Sequence, residues 1–279
     1  MAVTTKEKTF NGLDIMNAVV KTPVVDVQSM FKSFHTFSMY NQFYAMLQME
    51  ARKMKITPIR TFNQWKSDGY SVVKGAKAIK ILFPIMKSIP LRDSNGNVKK
   101  DENGKIITLK KRVGFTEKSM HFAQSETTCK QFNMDDVKID NYNLDKALKS
   151  LNIKMIDFNK LDLNIGGFTS KDNNNNTVVS INTVWGKEDT LHTLFHEMAH
   201  VVFEHASKNY QENRGLFEYE ADMTAFIACK CLGLSNEKQQ QKCKAYISSW
   251  LNDDFETATS DKEVHKIMSC VDKILKAGL

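Results

Sequence analysis

The chain has 279 residues, of which 42% are apolar and 25% charged, with four prolines, so it is globular material able to bury one large core or two modest ones. No apolar run approaches the roughly 18 residues of a membrane span, and acids interrupt the N-terminus MAVTTKEKTFNGLDIMNAVV where a signal peptide needs an uncharged core. No membrane partner is expected, and a cytoplasmic location is. The formal charge of +7 is unevenly spread: residues 1–130 hold 22 Lys and Arg against 10 Asp and Glu, net +12, whereas residues 131–279 hold 17 against 22, net −5.

A basic half followed by an acidic half predicts two domains, the first with a polyanionic partner. The expected fold class is α+β, divided into 1–135 and 136–279 by the polar stretch NMDDVKIDNYN. In the first half, Ser38 caps a predicted helix in FSMYNQFYAMLQMEARK, and TFNQWKSDG forms a second, short helix stopping at Asp68-Gly69. YSVVKGAKAIKILFPIMK is rich in β-formers, with Gly75 at a turn and Pro84 closing the run. Asn95-Gly96 and Asn103-Gly104 are strong turn signals between strands.

In the second half a helix is predicted around Leu144 to Leu151 and a strand near Ile153 to Phe158. IGGFTS and TVVSINT then read as strands flanking an asparagine loop. Further helices begin near Asp189 or Thr190, run from Leu216 to Leu232 ahead of Gly233, and continue through YISSWL and EVHKIMSCVDKIL. The result is a short sheet with a helical layer. Cys129, Cys229, Cys231, Cys243 and Cys270 lack paired metal-knuckle spacing; Cys229 and Cys231 read as small buried residues.

The stretch TLHTLFHEMAHVVFEHA carries the chemistry. His196 and His200, four apart on a helix, lie about 40° apart around its axis, so both imidazoles can reach one metal ion. Glu197 can then act as general base on a water whose pKa a zinc ion lowers towards roughly 7. Such a site needs a third protein ligand, and FEYEADMTAF offers Glu218 and Glu220, about 200° apart on a helix, so that only one faces the metal. Glu218 is favoured because Asp222 shares its face and can hydrogen-bond a ligand histidine from outside the coordination shell; Glu220 is the alternative. His205, near the end of the first helix, is assigned to the helix dipole. Gly166 and Gly167 would permit close backbone approach ahead of the zinc helix.

TLFHEMAHVVFEH, followed by EYEADMTAFIACKCLGL and YISSWL, resembles the zincin-like metallopeptidase domain of ArdC-type antirestriction proteins, related to the ImmA/IrrE peptidases. FSMYNQFYAMLQME, TFNQWKSDGYSVVKGAKAIKILFP and VGFTEKSMHFAQSET are similar to that family's N-terminal single-stranded-DNA-binding domain. The resemblance implies His196, His200 and Glu218 as zinc ligands, Glu197 as catalytic base and single-stranded DNA as partner. It also implies antirestriction protection of mobile-element DNA, with a DNA-bound protein as the substrate of an accompanying peptidase activity. The basic hairpin from Arg92 to Arg112 looks longer than the family's usual form. Single-strand binders combine cations with aromatic platforms, and Tyr40, Tyr44, Trp65 and Tyr70, interleaved with Lys66, Lys74, Lys77 and Lys80, supply both. Two other readings remain open: an ImmA-like regulatory protease that cuts a repressor, and a non-catalytic DNA-binding protein with a structural zinc.

Overall fold

The computed structural model describes residues 9–130, 142–158, 165–174, 176–185, 187–207, 210–235, 240–241, 245 and 259–279. Most of the polar stretch at 131–143, the YISSWL segment and Cys243 lie outside them. Among the described residues no helix is long and apolar enough to cross a membrane.

The chain opens with two helices that the sequence reading did not anticipate, α1 (Gly12–Lys21) and α2 (Val24–Phe34). Their signals are local. The Asn11 side chain accepts from the Asp14 backbone N–H and Asp14 reciprocates, a capping box, while Pro23 precedes the first residue of α2. The third helix, α3 (Met39–Ala51), is capped by Ser38 as expected, the side chain accepting from Asn41 N.

By contacts the chain groups into two compact units, 1–58 with 131–279, and 59–130. The expected division at 135 and this grouping differ in where the first 58 residues go. Helices α1 to α3 carry buried apolar stripes, including Ile15, Val19, Val27, Phe31 and Phe34, and pack on C-terminal helices instead of on a sheet of their own. Buried polar contacts fix that packing. Lys230 Nζ donates to Val19 O at 2.8 Å and Thr22 O at 2.5 Å, satisfying carbonyls at the end of α1, and Met39 N donates to Asp272 Oδ2 at 3.0 Å.

The 59–130 unit holds β1 (Ile59–Thr61), α4 (Phe62–Ser67), β2 (Ile79–Pro90) and β3 (Thr108–Ala123), with antiparallel strands in the order β1-β3-β2. Pro84 does not close its strand. It sits inside β2 opposite Phe115, tolerated because β2 is an edge among the described strands, where a missing N–H breaks no ladder on a second side. Both Asn-Gly pairs form turns, with Gly96 at φ +83° and Gly104 at φ +75°. The two turns are built alike: Asp93 Oδ1 accepts from Asn95 N and Asn97 N, and Asp101 Oδ1 from Asn103 N and Lys105 N.

The larger unit continues with α5 (Leu144–Ser150), β4 (Lys154–Met155), β5 (Gly167–Lys171) and β6 (Thr177–Ile181). Strand order is β4-β6-β5, β4 parallel and β5 antiparallel to β6, so β5 is an edge among the described strands. The strand expected over 153–158 shortens to two residues. A Cβ at Gly167 would stand 2.9 Å from Ser180 O and 3.0 Å from Thr193 Cγ2, so glycine is what lets β5 lie this close to its neighbours. Helices α6 (Lys187–Val202), α7 (Tyr210–Leu232), which starts earlier than expected and ends before Gly233, and α8 (Asp261–Gly278) follow. Helix α6 packs on α7, β5 and β6, which brings the histidine motif against the carboxylates of the next helix.

Candidate metal centre

One helical turn separates His196 from His200, and their Nε2 atoms approach to 3.0 Å. Glu218 Oε2 from α7 lies 3.4 Å from His196 Nε2. One ligand-type atom from each of His196, His200 and Glu218 falls within 4.8 Å of the others. Behind them stand further partners. His196 Nδ1 is 2.7 Å from Asp222 Oδ1; His200 Nδ1 is 2.8 Å from His205 Nδ1; and His205 Nε2 is 2.7 Å from Glu220 Oε2, whose other oxygen accepts from Lys266.

This chain of contacts dictates the tautomers. A carboxylate only accepts, so His196 donates through Nδ1 and leaves Nε2 as a bare lone pair. Glu220 likewise takes the Nε2 proton of His205, whose Nδ1 must then accept from His200 Nδ1, and His200 Nε2 is also bare. Two lone pairs and a carboxylate therefore converge, a donor set that repels itself unless a proton or a cation lies between. Nitrogen and oxygen donors of this kind suit zinc, manganese and other divalent transition ions. The residues fit a metal.

Protonation in the absence of metal follows the same geometry. Burial opposes a charge on His196, but hydrogen bonds to Asp222 and Glu218 lift its pKa to about 10. Burial and the charge on His196 push His200 down to about 3, so one proton serves the pair. For Glu218, burial is outweighed by the hydrogen bond and charge of His196, and its pKa falls to about 2. Burial raises Glu197 and Asp222 above the ordinary carboxylate range, against the pull of His196.

Glu197 is 6% exposed, and its Oε2 accepts from Thr169 Oγ1 on β5 at 2.7 Å. The same hydroxyl lies 3.2 Å from the Glu197 carbonyl, which ties the edge strand to the motif helix. Tyr210 donates to Glu218 Oε1. Thr169, Tyr210 and Lys266 were missed because each acts from a different element and carries no spacing signal. His205 was noticed but given to the helix dipole. In fact α6 ends at Val202, and Glu204, at φ +57°, turns the chain so that His205 folds back on His200. Glu220, the alternative ligand, is fully buried against His205, on the side away from the two bare nitrogens.

The aromatic residues assigned to nucleic acid separate into two groups. Tyr40 (4% exposed), Tyr44 (1%) and Trp65 (0%) are core side chains, Tyr40 stacking on His265 at 3.7 Å and Trp65 donating Nε1–H to Phe122 O at 2.9 Å. A ring enclosed on both faces has no surface left for a base. Tyr70 and Lys80 are half-buried, whereas Lys66, Lys74 and Lys77 are exposed. Helical or strand spacing cannot distinguish an aromatic facing the core from one facing solvent, and here apolar burial won.

The fold and the site together define an α+β protein in which an H-E-x-x-H helix and the following helix assemble a buried, metal-ready donor set. Residues 19–132 match the sequence profile of the N-terminal domain of anti-restriction factor ArdC. The resemblance to ArdC-type antirestriction proteins is thereby supported. A curated relative, the uncharacterized protein pXO2-81 of Bacillus anthracis, is 22% identical over 238 residues, covering 74% of this chain and 40% of its own length. The chain thus spans about two fifths of that relative. Two crystal structures of the antirestriction ArdC protein from plasmid R388 are similar at 11% identity: the metal-free form, with TM-score 0.47, covers 96% of this chain and 97% of that one, and the Mn(II)-bound form, with TM-score 0.49, covers 97% and 98%.

Proposed function

We propose that this is an antirestriction protein of a mobile genetic element that binds single-stranded DNA and hydrolyses peptide bonds in proteins associated with that DNA. The observation that carries the hydrolytic part is the convergence of the bare His196 and His200 Nε2 atoms on the Glu218 carboxylate, with Glu197 beside them. His196, His200 and Glu218 would hold a divalent ion, zinc in the first instance. Such an ion, when bound, supplies Lewis acidity and acidifies water.

The chain's own residues do the rest. Glu197 accepts the proton of the attacking water; burial raises its affinity for that proton, and Thr169 holds Oε2 so that Oε1 is left to take it. Asp222 and His205 keep both imidazoles in the tautomer with Nε2 bare. Tyr210 orients Glu218. Strand β5, an edge among the described strands and joined to Glu197 through Thr169, is placed to accept an extended peptide by strand addition.

A pull-down with full-length Glu197→Gln, loaded with zinc or manganese and with or without single-stranded DNA, tests the reading. The variant should retain metal and DNA, lose hydrolysis and retain its protein substrate. Antirestriction that survives in cells carrying Glu197→Gln would show instead that protection needs binding alone, with the metal structural.

A further inference from the structure

The distal half of the β2–β3 ribbon is exposed on both faces and is charged in a manner that its own fold does not neutralise. Residues 87–112 contain eight Lys and Arg against three acids. Two of those acids, Asp93 and Asp101, are occupied as acceptors within the turns. Across the ribbon Lys87 stands directly opposite Lys111, and Ser88 opposite Lys110. Like charges facing each other across a strand pair destabilise it. Among the described residues Lys87, Lys110 and Lys111 form no ion pair with an acid.

The face that carries Lys87 and Lys111 is also apolar. Side chains alternate along a strand and opposite pairs share a face, so Lys87 and Lys111 are followed by Ile89 opposite Leu109, and then by Leu91 opposite Ile107 through the Leu91 N to Ile107 O hydrogen bond. Leu109 is 61% exposed and Ile107 40%. A duplex presents phosphates along its exterior, which a purely cationic ribbon would match. An unpaired strand presents phosphates together with unstacked base faces, and a ribbon face combining a lysine pair with two aliphatic pairs is complementary to that combination.

We infer that this ribbon is the single-strand-binding element of the protein, Lys87 and Lys111 contacting phosphates and the Ile89–Leu109 and Leu91–Ile107 pairs on the same face contacting bases. The assignment rests on the DNA-binding reading above and moves its site from the buried Tyr40, Tyr44 and Trp65 to the ribbon. It also gives the otherwise unfavourable lysine pair a counter-charge.

The test uses the full chain and a fluorescent single-stranded oligonucleotide and its duplex across a salt series. The variant Lys87→Glu/Lys111→Glu is compared with Lys32→Glu/Lys149→Glu, an equal charge change at exposed sites off the ribbon. The ribbon variant should lose on the order of 10-fold or more in single-strand affinity and flatten the log–log salt slope by about 1.4, two phosphate contacts at about 0.7 each. The control should change only a few-fold. Ile89→Ser/Leu109→Ser should weaken the single strand more than the duplex. Equal losses in ribbon and control variants overturn the ribbon assignment and leave DNA binding intact. A wild-type protein that binds no DNA, or that binds anionic vesicles instead, overturns both.

Discussion

His205 Nδ1 lies 2.8 Å from His200 Nδ1, and the contact determines which nitrogen of His200 faces the metal site. Among the described residues His205 is the partner that obliges His200 to keep its proton on Nδ1. His205→Phe should therefore weaken metal binding by roughly 10- to 100-fold, while His205→Gln, whose side-chain oxygen can accept the same hydrogen bond, should restore part of it. Competition with a chelator measures both. Wild-type affinity in His205→Phe would show that the imidazole pair is merely packed.

Glu218 and Glu220 are two residues apart and should fail differently. Glu218→Ala removes a ligand and should abolish stoichiometric metal in purified protein; because it also removes the partner of His196 and Tyr210, it should lower the melting temperature of the metal-free form, though by less than Glu220→Ala. Glu220→Ala removes the buried partner of His205 and Lys266, and should cost about 2–4 kcal/mol of stability, the range for orphaning buried hydrogen-bonded charges. Metal lost from Glu220→Ala and retained by Glu218→Ala would mean that α7 is rotated from the orientation described.

The metal-free site should have a characteristic pH profile. His196 is raised to about 10 in the fold, so its contribution is full below the ordinary histidine pKa near 6.5 and is lost as pH climbs from there towards 10. His200 is lowered to about 3, so the unfolded chain binds the extra proton between about 6.5 and 3, and stability falls as pH drops through that window. Glu218, lowered to about 2, adds a further loss from about 4.5 downward. Stability of the metal-free protein should peak near pH 6.5. Metal displaces the shared proton, so loading should release protons on the alkaline side and remove the decline above pH 7. Parallel melting curves with and without zinc across pH 5 to 9 check this; an alkaline decline unchanged by zinc would count against the shared proton.

Trp65 is fully buried with its indole N–H bonded to Phe122 O. Trp65→Ala should cost about 3–5 kcal/mol and lower the melting temperature of the full chain, whereas Trp65→Phe should cost less and leave DNA affinity at the wild-type value. Calorimetry paired with the oligonucleotide titration separates the two effects. A loss of DNA affinity in Trp65→Phe at unchanged stability would return this residue to the binding surface.

The sequence by itself determined the motif helix, its ligand-spaced histidines, the Ser38 cap and the Asn-Gly turns, because each is written within a few residues as a spacing or a backbone preference. It also sufficed for the relation of Glu218 to Asp222, which is one turn of one helix. Tertiary structure decided the partners. Thr169 reaches Glu197 from a strand 28 positions earlier, Lys266 reaches Glu220 from a helix 46 positions later, and His205 becomes a partner of His200 only because Glu204 takes a left-handed turn. It also decided which aromatics are covered. Tyr40, Tyr44 and Trp65 have the composition of a stacking platform, but a ring's exposure depends on what distant segment packs on it, and no local pattern encodes that. The first 58 residues show the same limit: their charge groups them with the basic half, while the apolar faces of α1 to α3 group them with α7 and α8, because burial outweighs a screened surface charge.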